Sequence, residues 1–506
     1  MSPGATGRSV IAVAHPKFSG VVSTYPAPGL ETIPGLLARN ARDVPDGVAV
    51  VHGYDTISWA TLAARAFAVA SRLRRAGVAP GERVAFLCRD RLGIDDVVSL
   101  YGIVSAGTLV IVAADIPLPV QRILVDRTAP AILVAQPGTD PSSLPAIPLL
   151  SALDVSPAGE HHAPVPVVPT DIAAIISTSG STAEPKLVLR SHQNIVLATR
   201  ATAVELGLAP ADRMLLLGSP SGGMLVSTFE PTWSGGGLVI PDGAERDRWP
   251  SGDAGLQPTW AFGAPARLAN VAALLQGQPS PVRAVLSSSA AAPPDLAERI
   301  AQGFRAPRVD LYATSEVYSI AYDGKPVIPL RIADGGRDAV EIPSGQSGEI
   351  QVSGKHVFPG YFDDPGLTAA AFTADAWYRT GDLGRIREDG TVELLGRLNQ
   401  IINKGGTKIA PEEIESVMLQ HPAVAEAAAY AVPDERLGEQ PALAVVLRPD
   451  CALTVREVRR WLLDRLAHAK IPSIVRFVDE LPKTPTGKIM RRALAGEAPA
   501  VRSESR

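Results

Sequence analysis

The chain has 506 residues, too many for one hydrophobic core, and should fold as two or three units. Its 46% hydrophobic residues indicate a well-buried globular protein, and a net charge of -4 with acids and bases interspersed gives no basic patch for a nucleic acid. The 2 cysteines are too few for a disulfide framework, so the expected location is a reducing compartment, the cytoplasm.

Helical and extended patterns alternate along the first part of the chain. Trp59 to Ala76 places apolar residues at helical spacing, and Arg83 to Leu87 is typical of a short buried strand. The uncharged segment Val97 to Ala114 is nominally long enough to cross a bilayer, but its serines and glycines dilute its hydrophobicity and Gly107 favours a break. We therefore predict a buried helix that ends at Ala106, a buried strand after it, and no membrane span.

Short apolar runs continue this alternation towards the middle of the chain. They are Leu109–Ala113, Ala131–Ala135, Ala173–Ile176, Met214–Leu217, Leu238–Ile240 and Ala284–Leu286. Apolar strands that alternate with helical segments are typical of parallel sheets covered on both faces. The sequence therefore predicts an α/β fold for the larger part of the protein.

A hydroxyl-rich loop follows the apolar strand that ends at Ile176. It offers four hydroxyl groups, a glycine that lets the backbone approach an anion, and a lysine: Thr178, Ser179, Ser181, Thr182, Gly180 and Lys186. The loop suits a triphosphate, but it is not a Walker A loop, because Leu187 follows the lysine where that motif has a hydroxyl for Mg²⁺. Taken alone, such a loop favours the interpretation as a flexible Ser/Thr-rich turn.

Two acidic positions come later in the chain. Val309 to Glu316 reads as a strand that ends in a turn carrying Ser315 and Glu316, and a carboxylate there could hold Mg²⁺ against phosphate oxygens. Asp382 precedes a predicted hairpin, Leu383 to Leu395, that turns at an Asp-Gly pair. A carboxylate at such a strand end can accept hydrogen bonds from both hydroxyls of a ribose.

The last hundred residues predict a compact second domain. Pro411 stands where the first residue of a helix should be, with an apolar stripe after it. Thr454 and Glu457 form a capping box ahead of a helix whose apolar stripe continues to Leu466.

Two late segments complete a family pattern with the earlier loops. They are Gly396 to Glu415 and Leu481 to Ile489, and the second contains Pro-Thr-Gly-Lys. Together they resemble the adenylate-forming superfamily of acyl- and aryl-CoA synthetases, peptide-synthetase adenylation domains and beetle luciferases. The resemblance covers essentially the whole chain, with the motifs in the family's order. It implies an α/β fold with a large N-terminal domain (1–396) of βα layers with a small distorted barrel. A small α+β C-terminal domain (400–506) follows a hinge near Asn399.

The resemblance also implies roles for individual residues. Thr178 to Lys186 would hold the β- and γ-phosphates, Ser315 would touch the α-phosphate, and Glu316 would bind Mg²⁺. Lys488 would bridge the acid's carboxylate and the α-phosphate. Further ATP contacts are implied for Ser289, Ala290, Tyr312, Asp382 and Arg397, the last two at the ribose. An acid pocket is implied for Ser221, Gly222, Gly223, Ser288, Ala291 and Val317, and a thiol tunnel for Gly405 and Gly406.

Departures from the family pattern bear on the substrate. Gly218 to Met224 lacks the histidine or aromatic residue that gates the pocket in many CoA ligases. It also lacks the aspartate with which amino-acid activators pair the substrate ammonium, and a buried ammonium without a carboxylate is costly. The missing gate and the small residues Ser288 to Ala292 favour a roomy apolar pocket for a bulky or cyclic carboxylic acid that is not an amino acid.

The resemblance favours an AMP-forming acyl-CoA ligase that uses ATP, Mg²⁺ and CoA. The alternative is a stand-alone adenylating enzyme that loads the phosphopantetheine of a separate carrier protein or performs only the adenylation half-reaction. A third possibility, a non-catalytic nucleotide-binding regulator, is disfavoured by the intact set Glu316, Asp382, Arg397 and Lys488. The sequence leaves the identity of the acid and the oligomeric state open.

Overall fold

The computed structural model describes residues 31–89, 92–114, 116–151, 166–178, 185–218, 227–241, 257–275, 280–289, 292, 294–335, 339–483 and 489–496. The chain forms two compact units. The first comprises residues 1–291, 296–329 and 352–372, and the second comprises 292–295, 330–351 and 373–506. The predicted hinge at Asn399 lies within the range of the second unit and stays a prediction.

The helices in the described ranges follow the caps and apolar stripes of the sequence. They are Ile33–Asp43, Trp59–Arg75, Ile94–Ala106, Leu118–Thr128, His192–Glu205, Glu230–Ser234, Pro265–Leu275, Pro294–Phe304, Pro365–Ala371, Pro411–Met418, Val455–Leu463 and Arg491–Gly496, with short 3₁₀ helices at Leu398–Gln400 and His468–Lys470. Of these described helices, none is long and apolar enough to cross a membrane.

The strands in the described ranges are β1 Val48–His52, β2 Asp55–Ser58, β3 Arg83–Cys88, β4 Thr108–Ala113, β5 Ile132–Ala135, β6 Leu149–Ser151, β7 Ile172–Thr178, β8 Lys186–Ser191, β9 Arg213–Leu217, β10 Gly237–Ile240, β11 Trp260–Gly263, β12 Ala284–Ser287, β13 Arg308–Tyr312, β14 Ala321–Tyr322, β15 Lys325–Pro326, β16 Leu330–Ala333, β17 Gly348–Val352, β18 Tyr378–Ile386, β19 Val392–Arg397, β20 Ile402–Lys404, β21 Thr407–Ile409, β22 Val424–Asp434, β23 Gly438–Leu447 and β24 Ile474–Phe477.

The first unit contains two sheets. One has nine strands in the order β15-β14-β13-β12-β11-β9-β10-β1-β2, of which the six from β13 to β1 are parallel. The other has six strands in the order β6-β5-β3-β4-β7-β8, with only the β7–β8 pair antiparallel. The predicted α/β fold with largely parallel sheets is therefore confirmed.

The break predicted at Gly107 is present and has a steric cause. The helix Ile94–Ala106 is almost wholly buried and ends there, and β4 begins at Thr108. A Cβ atom on Gly107 would lie 2.5 Å from the carbonyl oxygen of Glu82, so only glycine lets the two backbones approach this closely. The apolar run is thus a core helix followed by a core strand.

The second unit contains a four-stranded sheet, β16-β17-β18-β19, and a five-stranded sheet, β21-β20-β23-β22 with β24 beside β23. The predicted hairpin is β18 and β19, which pair antiparallel, and the helix predicted from Pro411 is present. The capping box is confirmed, because the Thr454 hydroxyl accepts from the backbone N–H of Glu457 at 3.3 Å. That helix ends at Leu463, yet Leu466 still packs against the same core, so the apolar stripe outlasts the helix.

Candidate functional site

The site residues of the first unit follow the carboxyl ends of parallel strands. Gly218 follows β9 and Ser288 follows β12, and the segment with Ser315 and Glu316 follows β13. Because β13, β12, β11 and β9 are neighbours in one parallel stretch, these segments share one edge of the sheet. Ligands of open α/β sheets bind at this edge. Ser221, Gly222, Gly223, Ala290 and Ala291 lie outside the described residues.

Ser288 is tied to the strand that carries Tyr312. Its hydroxyl donates to the backbone carbonyl of Leu311 at 3.1 Å, and its side chain is buried. Ser289 is exposed and has a φ of 77°, a left-handed conformation that turns the chain sharply after β12. The structure therefore brings Ser288 beside the end of β13, where Tyr312 is half-buried.

The ends of the phosphate loop are held by the β7–β8 pair. Thr178 and Lys186 lie opposite each other as the last pair of this antiparallel ladder. The intervening Ser179, Gly180, Ser181 and Thr182 lie outside the described residues. The Lys186 ammonium lies 5.4 Å from the centroid of the Tyr361 ring, within the range of a cation–π contact.

Tyr361 connects this loop to the predicted metal ligand. Its hydroxyl donates to Oε1 of Glu316 at 2.9 Å, and it forms a β-bridge with Val188 of β8. The backbone carbonyl of Glu316 also accepts from the N–H of Phe358 at 2.9 Å. Sequence reasoning assigned Tyr361 no role, because a single aromatic residue after a glycine gives no indication of a contact 45 residues away.

The half-buried Glu316 carboxylate fits a magnesium ion. Mg²⁺ prefers oxygen ligands and is usually held by one or two carboxylates together with phosphate oxygens and water. Among the described residues there is no group of three or more histidine, cysteine or acidic side chains placed to hold a metal. The Tyr361 hydroxyl occupies one lone pair of Oε1 and leaves acceptor capacity on the carboxylate.

Arg190 is a second feature that sequence reasoning missed. It lies on the same face of β8 as Lys186, because side chains alternate along a strand. It is fully buried, and none of its three guanidinium nitrogens hydrogen-bonds within the described structure. Burial lowers the pKa of Arg190 to about 10 while nearby Glu316 and Tyr318 raise it, so the side chain stays charged at neutral pH.

In the second unit, Asp382 and Arg397 form the expected pair. They lie opposite each other in the β18–β19 ladder, and Nε of Arg397 lies 2.7 Å from Oδ1 of Asp382. The Asp382 side chain is buried, whereas that of Arg397 is 46% exposed. The backbone N–H of Asp382 donates to the Thr380 hydroxyl at 3.0 Å, which fixes the chain beside the carboxylate.

The remaining predicted residues of this unit lie after the hairpin. Asn399 is exposed within the 3₁₀ helix Leu398–Gln400. Gly405 and Gly406 are exposed and form the turn between β20 and β21, with φ values of 56° and 92°. Lys488 lies outside the described residues. Three residues further on, Arg491 forms an ion pair with Glu415 at 2.7 Å.

Comparisons with known proteins agree with this arrangement. Residues 37–362 match the family model of the AMP-binding enzymes, and residues 413–488 match that of the AMP-binding enzyme C-terminal domain. The chain belongs to the AMP-binding enzymes. The predicted membership of the adenylate-forming superfamily and the predicted class, an AMP-forming acid–thiol ligase of the acyl-CoA synthetase type, are thereby confirmed.

Individual relatives cover most of this AMP-binding enzyme. A sulfoacetate–CoA ligase of Cupriavidus necator is 34% identical over 384 residues, which are 72% of this chain and 73% of that protein. A feruloyl-CoA synthase of an Amycolatopsis species is 32% identical over 478 residues, 90% of this chain and 96% of the relative. The crystal structure of ATP-bound MatB from Rhodopseudomonas palustris superposes with a TM-score of 0.78 at 25% identity, covering 92% of this chain and 98% of MatB.

Proposed function

We propose that the enzyme adenylates an apolar carboxylic acid with ATP and then transfers the acyl group to CoA. The observation that carries the proposal is the contact of Tyr361 with both Lys186 and Glu316. It joins the end of the proposed phosphate loop to the acid proposed to hold Mg²⁺, which are 130 residues apart (316 minus 186). The two groups would thus act on one triphosphate.

The charges of these residues suit the first half-reaction. A carboxylate that attacks a triphosphate brings anion to anion, so positive charge must already be in place when the phosphorus becomes five-coordinate. We assign Lys186 to the outer phosphates and Lys488 to the α-phosphate and the attacking carboxylate. A bound Mg²⁺ would neutralise part of the phosphate charge, and Glu316 would hold it.

The hairpin pair would hold the nucleoside end of ATP. The Asp382 side chain is buried and its carboxylate forms an ion pair with Arg397, so the carboxylate is already oriented before a ribose binds. An ionised carboxylate can accept hydrogen bonds from both ribose hydroxyls. Arg397 would orient that carboxylate and add a donor at the exposed side of the pair.

The second half-reaction would use the exposed turn Gly405–Gly406. We propose that the C-terminal domain turns about Asn399 after adenylation, and that the thiol of CoA then approaches along this turn. Backbone without side chains suits a narrow passage for an extended thiol. The thiol would lose its proton to solvent as its sulfur attacks the acyl carbon, and AMP would leave with the electrons of the broken C–O bond.

The acid itself is inferred from the chain rather than from the relatives. The two relatives are named for sulfoacetate and for the feruloyl group, which differ widely in size and charge. The segment Gly218 to Met224 carries no acidic residue to pair with an ammonium group. We therefore propose a carboxylic acid that is not an α-amino acid.

Exchange of labelled pyrophosphate into ATP tests the first half-reaction. Exchange that depends on both a carboxylic acid and Mg²⁺ is expected. Adding CoA should then yield a thioester and AMP; a thioester that forms only with a carrier protein would replace CoA in the proposal by carrier-bound phosphopantetheine. Failure of every acid in a broad panel to support exchange would contradict the enzymatic assignment and favour a nucleotide-binding regulator.

A further inference from the structure

The last turn of the helix Leu118–Thr128 carries an arginine that reaches the end of the phosphate loop. Nη1 of Arg127 donates to the backbone carbonyl of Pro185 at 3.0 Å. Pro185 immediately precedes Lys186 and stands one position beyond the last pair of the β7–β8 ladder, Thr178 with Lys186. The hydrogen bond therefore holds the chain at the point where the loop enters β8.

This contact differs from the usual role of a basic residue at the end of a helix. An arginine in the last turn can bind the unpaired carbonyls of its own helix and complement the helix dipole. Here the guanidinium of Arg83 binds that helix end, because it donates to the carbonyls of Thr128 and Ala129 at 2.5 and 3.2 Å. The half-buried Arg127 instead donates to Pro185, which belongs to a different element.

The helix and the strand that this hydrogen bond connects share one hydrophobic core. Leu124 and Val125 of the helix belong to the same buried cluster as Leu187 of β8. Protein interiors are close-packed, so elements that share a core keep their relative positions. Arg127 therefore acts on the end of the loop from a fixed position.

The peptide unit that Arg127 holds is the one in which Lys186 begins. A peptide bond is planar, so the carbonyl of Pro185 and the backbone nitrogen of Lys186 lie in one plane. Fixing this carbonyl fixes the plane from which the lysine backbone continues. The Lys186 ammonium is held separately, at 5.4 Å from the centroid of the Tyr361 ring.

We propose that Arg127 is a positioning residue for phosphate binding: it fixes the peptide unit between Pro185 and Lys186 and thereby preorganises the lysine for the outer phosphates of ATP. The inference rests on the proposed function, which assigns those phosphates to Lys186. Arg127 acts through the backbone of the loop and not by contact with the nucleotide. Preorganisation raises affinity because less ordering is left for the binding step.

Arg127→Ala tests this role through a comparison of two nucleotides. AMP lacks the β- and γ-phosphates, so only ATP would use Lys186. We expect the Kd for ATP with Mg²⁺, measured by titration calorimetry, to rise by about 2- to 10-fold, the range that one hydrogen bond gives, while the Kd for AMP stays unchanged. An unchanged Kd for ATP, or an equal rise for AMP, would overturn the proposal.

The kinetics of pyrophosphate exchange provide a second measurement of the same variant. The hydrogen bond to Pro185 is present before and during the reaction, so its loss should raise the KM for ATP and leave kcat close to that of the parent. The KM for the acid should not change. A fall in kcat with an unchanged KM for ATP would contradict a role in phosphate binding.

Three further variants separate the hydrogen bond from general effects on the helix. Arg122→Ala is the matched control, because Nε of Arg122 donates from the same helix to the carbonyl of Ser143 at 2.9 Å, away from the phosphate loop. It should leave both Kd values unchanged; a rise equal to that of Arg127→Ala would assign the effect to the helix and overturn the inference.

The other two variants replace Arg127 itself. Arg127→Met keeps most of the apolar stem and removes the donor, so it should weaken ATP binding as alanine does, and it decides the question if the alanine variant does not fold. Parent affinity in the methionine variant would assign the effect to packing and overturn the proposal. Arg127→Lys keeps a donor and should restore most of the affinity for ATP; no recovery would show that the donated bond is not responsible.

The design also separates this inference from the proposed function. Acid-dependent exchange with the same affinity for ATP in the unsubstituted enzyme and in Arg127→Ala would overturn the role of Arg127 alone. Absence of both ATP binding and exchange in the unsubstituted enzyme would overturn the proposed function and this inference with it.

Discussion

The two units differ in how their site residues are assembled along the chain. In the first unit, Lys186, Glu316 and Tyr361 come from separate segments and meet only when strands of two sheets are in place. In the second, Asp382 and Arg397 face each other across one hairpin. Substitutions in the first unit should therefore alter several contacts at once, whereas those in the second should remove one function at a time.

The largest effect is expected for Lys488→Ala, which tests whether the second unit supplies the charge for adenylation. Removing a preorganised charge at a developing anion lowers kcat by about 10²- to 10³-fold. ATP affinity should change little, because the interaction is made mainly in the transition state. Single-turnover formation of the adenylate measures the rate, and Lys483→Ala, in the same segment, is the control. Adenylate formation close to the parent rate would contradict the assignment.

A hinge in the second unit should affect only one half-reaction. Asn399→Pro fixes φ near -65° at the predicted pivot, so rotation after adenylation should be blocked. We expect thioester formation to fall by about 10-fold or more while pyrophosphate exchange stays close to normal. Exposed Asn403 offers a control position in which alanine should leave both half-reactions unchanged. Equal loss of the two half-reactions in the proline variant would rule out the hinge.

The hairpin pair should act on ATP binding alone. Asp382→Ala removes a charged acceptor worth about 1.5–3 kcal/mol, which corresponds to a rise of about 10- to 100-fold in the KM for ATP. Steady-state kinetics with varied ATP measure this change. Glu393→Gln is the matched control, because Glu393 pairs with Arg385 at 2.7 Å across the same hairpin. A comparable rise in that variant would assign the effect to the hairpin's stability.

A smaller effect is expected where Tyr361 supports Glu316 in the first unit. Tyr361→Phe removes one hydrogen bond and keeps the ring beside Lys186. Since such a bond contributes about 0.5–1.5 kcal/mol, the Mg²⁺ concentration for half-maximal exchange should rise by about 2- to 10-fold. Tyr322→Phe loses a buried hydroxyl elsewhere in the unit and should leave the Mg²⁺ dependence unchanged. If the Mg²⁺ dependence of exchange is unchanged in both variants, Tyr361 does not contribute to Mg²⁺ binding.

Much of the fold follows from periodicity alone. The helix ending at Ala106, the strands around it and the hairpin of β18 and β19 were predictable because each depends on local alternation and on Gly107 or the Asp389-Gly390 turn. Hairpin register also accounts for the Asp382–Arg397 contact. The capping box at Thr454 fixed where its helix starts, but the apolar stripe could not show that the helix stops at Leu463.

The rest of the site depends on packing that a sequence does not display. Tyr361 meets Glu316 only because its segment lies beside β8, and no local pattern specifies that neighbour. The burial of Arg190 and the left-handed φ of Tyr318 are likewise consequences of tertiary structure. Charged and aromatic residues of this kind are ordinary in a sequence and become informative only when their surroundings are known.

The last prediction concerns pH and contrasts two buried carboxyls, one in each unit. The folded-state pKa of Glu230 is raised by burial from 4.5 to about 8, so its proton is bound more tightly in the folded state. The resulting stability is fully present below pH 4.5 and is lost as pH rises through 8. The side chain introduced by Glu230→Gln cannot ionise. The melting temperature of this variant relative to that of the parent should therefore rise between pH 5 and pH 9. Each unit by which folding raises the pKa corresponds to about 1.4 kcal/mol of unfolding free energy.

Glu415 of the second unit provides the contrast, because its carboxylate is paired with Arg491. Burial raises the pKa of Glu415 while Arg491 opposes the rise. Glu415→Gln should lower the melting temperature at neutral pH, since Arg491 then loses its carboxylate partner at 2.7 Å and keeps that of Glu412 at 3.5 Å. Any constant cost of burying an amide at position 230 drops out of the comparison, because only the change with pH reports ionisation. A constant difference between Glu230→Gln and the parent from pH 5 to 9 would show that Glu230 does not bind its proton more tightly on folding.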